Sequence, residues 1–368
     1  MKIKLLIPII MFCLTTLYAD RLVELENQME QLRIVTPNET CGANTALARP
    51  ILDPECGCCG VNLFASASLL YWHPKVAGTE FAYGVNNFDP TTVVPIKGCL
   101  KSIDFRWDWG LKVGLGYNIG HDGWDLFLEY TWFTSRGSQS TCSGNNNSVV
   151  ALKGLPLLTE SDTGSAQFLV AKKAKSHFSL ALNALQLEFG RAFYVSEYLA
   201  LDPKIGLKAA WLCFGQHTSY GTEAGNFLSV RDCNQFAGVG PAFGLGTEWH
   251  FCGKFYVYGD ICGALMYGLF NVHHKERFSA PPCSNLVRIC QMRHAFVPCV
   301  DTKLGVGYSS YCGCDDNMHM IVRLGFDAHY TWRINQMLEV KDAAALRFGR
   351  VSEDLSIHGI TLDVRVDF

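Results

Sequence analysis

The sequence predicts an all-β fold, an antiparallel up-and-down transmembrane β-barrel of about ten strands. Three observations predict it: apolar and polar residues alternate over long segments, these segments come in pairs around short turns, and long loops separate the pairs. Strict alternation places the two sets of side chains on opposite faces of a strand. Short turns at one end and long loops at the other are typical of outer-membrane barrels.

The clearest alternation covers residues 103–118, which a turn at 119–123 joins to a second alternating segment, 124–132. A helix would scatter the two sets of side chains around its circumference, whereas a period of two separates them completely. The apolar positions of the first segment are Ile103, Phe105, Trp107, Trp109, Leu111, Val113, Leu115 and Tyr117.

The same hairpin design recurs three times, and single strands stand at the two ends of the barrel. The ranges are 61–73, 181–193 with 199–211, 236–251 with 255–267, 296–308 with 318–332, and 356–368. Strands of about 13 residues, tilted by about 45°, rise roughly 30 Å, enough to cross a bilayer, whereas strands of soluble proteins are much shorter. Segments 80–85 and 167–171 could be further strands, so twelve is the alternative count.

The chain divides into three predicted parts. Residues 1–19 carry Lys2 and Lys4, an apolar stretch and Ala19, which indicates a signal peptide cleaved after Ala19. Residues 20–60 form a periplasmic N-terminal arm with a cysteine cluster and a short amphipathic helix at 20–34, which either mediates oligomerisation or packs locally. Residues 61–368 form the barrel, and no later stretch is long and apolar enough for a membrane-spanning helix.

Composition excludes some partners and suggests others. The net charge of −3 gives no indication of nucleic-acid binding. Of the 16 cysteines, one lies in the signal segment, which leaves 15 in an exported chain. An oxidising compartment favours disulfides, and the odd number leaves at least one thiol free or bonded to another chain.

The last strand ends in an aromatic residue, Phe368. Such an ending resembles the signal by which outer-membrane barrels are recognised for insertion. The expected partners are therefore the barrel assembly machinery and the lipids of the bacterial outer membrane.

If the apolar faces contact lipid, the polar faces line the lumen. Charges of both signs along a lumen are compatible with a water-filled pore or with a salt-bridged core that fills a small barrel. Glycines on the same faces, such as Gly116 and Gly307, remove side-chain volume and favour an opening. The predicted pore-lining residues are Asp104, Arg106, Asp108, Lys112, Asp125, Glu129, Asp202, Lys204, Lys208, Asp301, Lys303, Arg323, Asp327, Asp363 and Arg365.

Two groups of cysteines are disulfide candidates. Cys262 and Cys299 point into the lumen from neighbouring strands and predict a cross-strand disulfide. The other candidates lie on the periplasmic side, and their spacing favours disulfides within or between chains over a zinc site: Cys56, Cys58, Cys59, Cys312 and Cys314.

The sequence does not predict an enzyme, a metal site or a cofactor. Histidines lie near the outer rim at His177, His217, His273, His274 and His294, but no paired carboxylates accompany a histidine at corresponding strand ends. A basic cluster at Lys172, Lys173 and Lys175 either attracts anions or surface glycans, or is simply solvated.

The blocks 65–72, 104–114 and 121–126 resemble recurring segments of the MOMP-like outer membrane protein family, the pore-forming family of the Legionella and amoeba-associated Chlamydiae type. The resemblance implies a porin, with passive diffusion of small hydrophilic solutes or ions through the lumen, and possible homo-oligomers or disulfide-linked envelope proteins as partners. The alternative is a nonconducting structural or adhesive outer-membrane barrel cross-linked by disulfides.

Overall fold

The computed structural model describes most of the predicted barrel. The predicted signal peptide, the N-terminal arm and Cys56, Cys58, Cys59 and Cys314 lie outside the described residues. These residues are 62–86, 98–119, 123–144, 147–154, 170–196, 198–221, 227–252, 254–279, 284–312, 318–342 and 347–368.

The described chain is built from β-strands. In chain order they are β1 (Leu63–Val76), β2 (Ala82–Asn86), β3 (Gly98–Lys101), β4 (Asp108–Ile119), β5 (Trp124–Cys142), β6 (Asn147–Ala151), β7 (Val170–Ala171), β8 (Lys173–Arg191), β9 (Phe193–Tyr194), β10 (Leu199–Gly221), β11 (Phe227–Cys252), β12 (Phe255–Phe278), β13 (Ser284–Cys312), β14 (Met318–Asn335), β15 (Leu338–Asp342), β16 (Arg347–Arg350) and β17 (Glu353–Asp367). Within the described ranges, no helix has the length and hydropathy needed to cross a membrane.

Ten long strands form a closed antiparallel barrel, as the sequence predicts. Its order is β1, β4, β5, β8, β10, β11, β12, β13, β14 and β17, and β17 then pairs with β1. The closing pair has Phe64 opposite Asp367 and continues to Val76 opposite Leu355. Every barrel strand therefore has a hydrogen-bonded neighbour on both sides, which leaves no free sheet edge.

The twelve-strand alternative is wrong. The first candidate segment overlaps β2, and the described part of the second is β7; both strands belong to a separate four-stranded sheet of order β3, β2, β6, β7. A further pair, β15 and β16, forms its own two-stranded sheet. These small sheets lie in the long connections at one end of the barrel, called here the loop end; the opposite end is the turn end.

The outward face carries an apolar band, and several strands continue beyond it. On β10 the outward side chains are apolar from Leu199 to Trp211 and then change to Cys213, His217 and Ser219. On β12 they are apolar from Phe255 to Leu269, whereas the inward positions beyond the band include Phe270 and Val272.

At the edge of the band, the apolar side chains thus change from outward to inward positions, and the polar side chains change from inward to outward positions. The sequence-based boundaries of the strands stop near this reversal, up to 12 residues short of the observed ends, as in β13, which begins at Ser284 rather than at 296. We call the part of β8 and β10 to β13 beyond the band the extension.

Candidate functional site in the barrel lumen

A layer of ionised side chains crosses the lumen at the depth of the apolar band. At its centre, Lys208 on β10 pairs with Asp301 on β13. The second carboxylate oxygen of Asp301 lies 2.8 Å from Nδ1 of His329 on β14. We call this layer the charged belt; its other members are Lys112, Glu129, Glu188, Asp202, Lys204, Asp260, Lys303 and Asp327.

Two lysines of the charged belt, Lys112 and Lys204, each face more than one carboxylate. Lys204 Nζ lies 3.0 Å from Asp260 Oδ2, 3.3 Å from Asp202 Oδ2 and 3.7 Å from Glu188 Oε2. Lys112 Nζ lies 3.4 Å from Asp327 Oδ2. Several ion pairs join non-adjacent strands across the lumen, such as Lys208 with Asp301. Lys303 on β13 lies 4.0 Å from Glu129 on β5, five strands away in the barrel of ten, and so links opposite parts of the wall.

The charged belt surrounds a small cavity of about 60 Å³. Its wall includes Lys112, Lys208, Asp301 and His329 together with Trp72. This volume accommodates a few water molecules and is bordered by enough polar atoms to bind them. The lumen at this depth can therefore hold water and small ions.

The lumen glycines do not open a passage, contrary to the sequence-based expectation. A Cβ atom on Gly116 would overlap the ring of Phe64, and one on Gly307 would overlap the ring of Tyr256. Aromatic side chains from neighbouring strands therefore fold across these glycines and occupy the space they leave. Their close approach requires a residue without a Cβ atom.

An apolar core closes the lumen above the charged belt, toward the loop end. Phe178, Phe214, Phe236 and Phe270 point inward from four neighbouring strands and are at most 2% exposed. Side chains from the loops and from the end of β14 pack against them as part of the same cluster, namely Phe81, Ile103, Phe105, Ile334 and Met337. We call this layer, wall and loop residues together, the apolar plug.

Hydrogen bonds from the wall hold the loop segments of the apolar plug. Gln216 Nε2 donates to the carbonyl oxygen of Thr79 at 3.1 Å. Asn234 Nδ2 donates to the carbonyl oxygen of Ile334 at 2.7 Å, and the Tyr220 hydroxyl donates to that of Phe81. The loops are thereby bound to the inside of β10 and β11.

A buried histidine between two carboxylates lies in the extension, and sequence reasoning missed it. His274 Nδ1 lies 2.5 Å from Asp232 Oδ1, and its Nε2 lies 2.7 Å from Glu276 Oε1. Lys153, from the chain between β6 and β7, lies 3.8 Å from Asp232 Oδ2. The expectation that no paired carboxylates accompany a rim histidine is therefore wrong.

This cluster is closed to solvent, since its histidine and both carboxylates are at most 2% exposed. Burial lowers the pKa of His274, but the hydrogen bonds to Asp232 and Glu276 outweigh burial and raise it to about 9. At neutral pH the imidazolium therefore holds two carboxylates together at the top of the apolar plug.

Two predicted lumen residues lie elsewhere. Asp104 and Arg106 are exposed in the segment before β4, because β4 begins only at Asp108 and residues 103–105 turn into the loop end. Asp108 lies at the start of β4, where its carboxylate accepts the backbone N–H of Arg136.

The remaining predicted residues point inward, either in the charged belt or nearer the turn end. Near the turn end, Arg323 donates to Glu248 at 2.6 Å, and Arg365 donates to Asp367 at 2.7 Å. Asp363 accepts a hydrogen bond from Ser68, and Asp125 lies beside Gly190.

The lumen cysteines Cys262 and Cys299 are buried and unbonded. The register pairs Cys262 with Asp301 and Ala264 with Cys299, so the two are diagonal rather than direct neighbours. The sequence pattern did not single out Cys213 and Cys233 as a pair. They lie diagonally on the outward face of β10 and β11, just beyond the apolar band, where interaction with the Cys233 thiol lowers the pKa of Cys213.

Comparison with solved structures finds outer-membrane barrels, at low identity. The outer membrane protease OmpT from Escherichia coli has 10% identity and a TM-score of 0.39, with 83% of this chain and 96% of that chain covered. A Pseudomonas aeruginosa FadL homologue has 6% identity and a TM-score of 0.25, with 83% and 90% covered. Among curated proteins, none matches the chain.

The family profile described as "Legionella pneumophila major outer membrane protein precursor" matches residues 58–368, which includes every strand of the barrel. The apolar band, the closed barrel and this match agree on an outer-membrane location, with the long connections facing outward. The chain belongs to the Legionella major outer membrane protein family.

Proposed function

We propose that this protein is an outer-membrane channel for passive diffusion of small hydrophilic solutes or ions, and that the described conformation is its closed state. The observation that carries the proposal is the charged belt, which places charged side chains of both signs around a small cavity at membrane depth. Charged groups lining a lumen are the means by which channels interact with hydrated solutes.

The cost of burying charge supports this function. A buried ion pair is often no more stable than well-packed apolar residues of the same volume. The chain fills the lumen with apolar side chains at the plug, where Phe214 and Phe236 pack. A purely structural barrel could use the same filling at membrane depth, so the charged belt favours a role in permeation.

The route proposed for opening is displacement of the loop segments. The segment around Thr79 and Phe81 lies outside the barrel strands and is bound to the wall by hydrogen bonds from Gln216 and Tyr220. Asn234 binds the end of β14, which leads into the loop at Met337. Movement of the loop segments would uncover the charged belt without breaking the strand pairing. A barrel of this size leaves only a narrow route, which limits permeation to small solutes.

A second candidate function is a nonconducting structural barrel. The apolar plug favours it, because Phe81 and Phe214, which pack in the same core, are fully buried. In this case the charged belt would serve only to link opposite parts of the wall.

Planar-bilayer recording of the refolded protein separates the two functions. The variant Q216A/N234A removes two side chains that hold the loops. The control Q235A/N271A removes the same residue types from outward positions of the extension. The channel function predicts discrete steps in the wild type and the control, and a higher open probability in Q216A/N234A. Silence in all three folded proteins would support the nonconducting barrel.

A further inference from the structure

A row of basic side chains crosses the outward face of the extension. The register places each residue directly opposite the next on five neighbouring strands, from β8 to β13. We call this set the basic row: His177, His217, Arg231, Lys275 and Arg288. All five are exposed or half-buried.

Among the described residues, no carboxylate on the outward face of the extension compensates the positive charge of the basic row. Directly opposed like charges destabilise a sheet, and Arg231, Lys275 and Arg288 are three such neighbours. The flanking outward positions add Lys175, His273 and Arg277, and no Asp or Glu faces outward in the described part of the extension.

The nearby acids point to the other face. Asp232 and Glu276 lie inside the barrel, where both bind His274. Burial, together with the neighbouring charge of Arg231, lowers the pKa of His217. The basic row is thus a surface of unbalanced positive potential, although the chain has a net charge of −3.

The height of the basic row relates it to the membrane surface. Trp211 is in register with Ala237 and Leu269 at the edge of the apolar band. The basic row lies six residues farther along these strands, a rise of about 15 Å for tilted strands. The head-group layer extends only about 5 to 8 Å beyond the hydrocarbon. The Arg and Lys side chains of the row would therefore reach lipid head groups by extending back toward the membrane, and they lie at the height of the sugars attached to those head groups.

The opposite side of the barrel lacks this feature. On β17 the corresponding positions beyond the band carry Glu353 and Asp354, and Asp354 accepts a hydrogen bond from Tyr330. The barrel wall is therefore polarised, with positive charge concentrated on the side where the strands extend farthest.

We propose that the basic row binds the anionic head group of a phosphorylated glycolipid in the outer leaflet. Phosphate oxygens would bridge Arg231, Lys275 and Arg288, because guanidinium and ammonium groups are the preferred protein ligands of phosphate. The acyl chains of the same lipid would lie against the apolar band below. Binding would relieve the repulsion along the row, and it does not depend on whether the lumen conducts.

Titration of the refolded full-length protein with bisphosphorylated lipid A in uncharged micelles tests this proposal. The variant R231Q/K275Q removes two adjacent charges of the basic row. The control K75Q/R106Q removes two exposed positive charges from the other side of the barrel. The expected result is a loss of affinity of about 30-fold in R231Q/K275Q, with less than about threefold in the control.

Two further measurements distinguish phosphate recognition from a folding defect and from binding of the acyl chains alone. In micelles without lipid A, R231Q/K275Q should unfold at the wild-type temperature or above it, because a repulsion has been removed. Dephosphorylated lipid A should bind the wild type as weakly as lipid A binds the variant. The proposal would be overturned if dephosphorylated lipid A bound the wild type as tightly as lipid A does. It would also be overturned if inorganic phosphate competed as well as lipid A itself, or if R231Q/K275Q bound lipid A with wild-type affinity.

Discussion

Lys208 and Asp301 form an ion pair across the lumen, although two strands, β11 and β12, separate their own strands in the sheet. His329 on β14 contacts the other oxygen of the same carboxylate at 2.8 Å. Three strands of the wall are thus connected through one buried carboxylate. In the proposed function, this charged belt is the constriction of the channel, which the apolar plug closes.

Loss of Lys208 should destabilise the barrel more than loss of the whole pair. In K208M, Asp301 remains buried without its lysine, and the free energy of unfolding should fall by about 3 to 5 kcal/mol. The double variant K208M/D301N should recover a large part of this loss. Urea unfolding in lipid vesicles measures both, with outward K275M as the control. An unperturbed K208M would show that the pair contributes nothing to stability.

Substitution by alanine should lower the stability of the barrel at Gly116 but not at Gly263. A Cβ atom on Gly116 would overlap the Phe64 ring, whereas one on Gly263 would meet open space. We expect G116A to lose about 1 to 3 kcal/mol of stability and G263A to unfold like the wild type, both measured by urea titration. Equal behaviour of the two variants would contradict the packing of Phe64 across the glycine.

The loop end should loosen as the pH rises from 6.5 to 9. The pKa of His274 is raised to about 9 in the folded protein from an ordinary value of 6.5. The contribution of charged His274 to the free energy of unfolding is therefore complete below pH 6.5 and is lost as the pH rises through 9. This contribution amounts to up to about 3 kcal/mol.

Hydrogen exchange of the outer parts of β11 and β12 at several pH values measures this effect, after correction for the intrinsic pH dependence of exchange. H274Q should abolish the pH dependence, and H273Q, on the outward face, should keep it. Protection that is independent of pH in the wild type would refute the stabilising role of the imidazolium.

Cys213 should be the most reactive of the described exposed thiols at neutral pH. Interaction with the Cys233 thiol outweighs partial burial and lowers the pKa of Cys213 to about 6. Because the thiolate is the nucleophile, alkylation of Cys213 should stay fast down to about pH 6 and slow below it. Mass spectrometry of labelled peptides measures the rates, with Cys142 as internal control. C233A should restore an ordinary pH profile, and no change would disprove this interaction.

Deletion of Phe368 should impair assembly in the membrane more than it lowers the stability of the folded barrel. Its backbone N–H donates to the carbonyl of Leu63 at 3.0 Å, while its side chain is 51% exposed on the lipid-facing side. The residue therefore adds little to packing and is available for recognition. In cells, we expect the membranes to contain less of the truncated protein in the folded, heat-modifiable form than of the wild type. After refolding in vitro, the truncated protein should be as stable as the wild type. Wild-type insertion would count against an assembly signal.

The barrel could be predicted from the sequence because its apolar band imposes a strict period of two. The ten strand ranges were recognisable from positions such as Trp109 and Leu111, which alternate with Gly110 and Lys112. The outer parts of β10 to β13 were missed because the inside becomes apolar where the outside becomes polar. Around Met266 to Phe270 both faces are apolar, and the alternation resumes with the opposite phase.

The site was only partly predictable. Charged residues such as Lys208 and Asp301 could be placed in the lumen because they occupy the polar positions of alternating strands. Their pairing across strands, however, depends on closure of the barrel. The apolar plug depends on loop residues such as Phe81 and Met337, whose path into the lumen has no periodic signal. The glycines suggested an opening because the sequence does not show that aromatic rings cover them.

Single-channel measurement of ion selectivity tests whether the charged belt is the constriction of a channel. The recordings compare Q216A/N234A with the same variant carrying K208Q, in a gradient of KCl. We expect both to conduct and K208Q to shift the reversal potential toward cation selectivity, because Asp301 then faces the lumen without its lysine. An unchanged reversal potential, or no conductance from folded protein in either variant, would contradict the claim that the charged belt is the constriction of a channel.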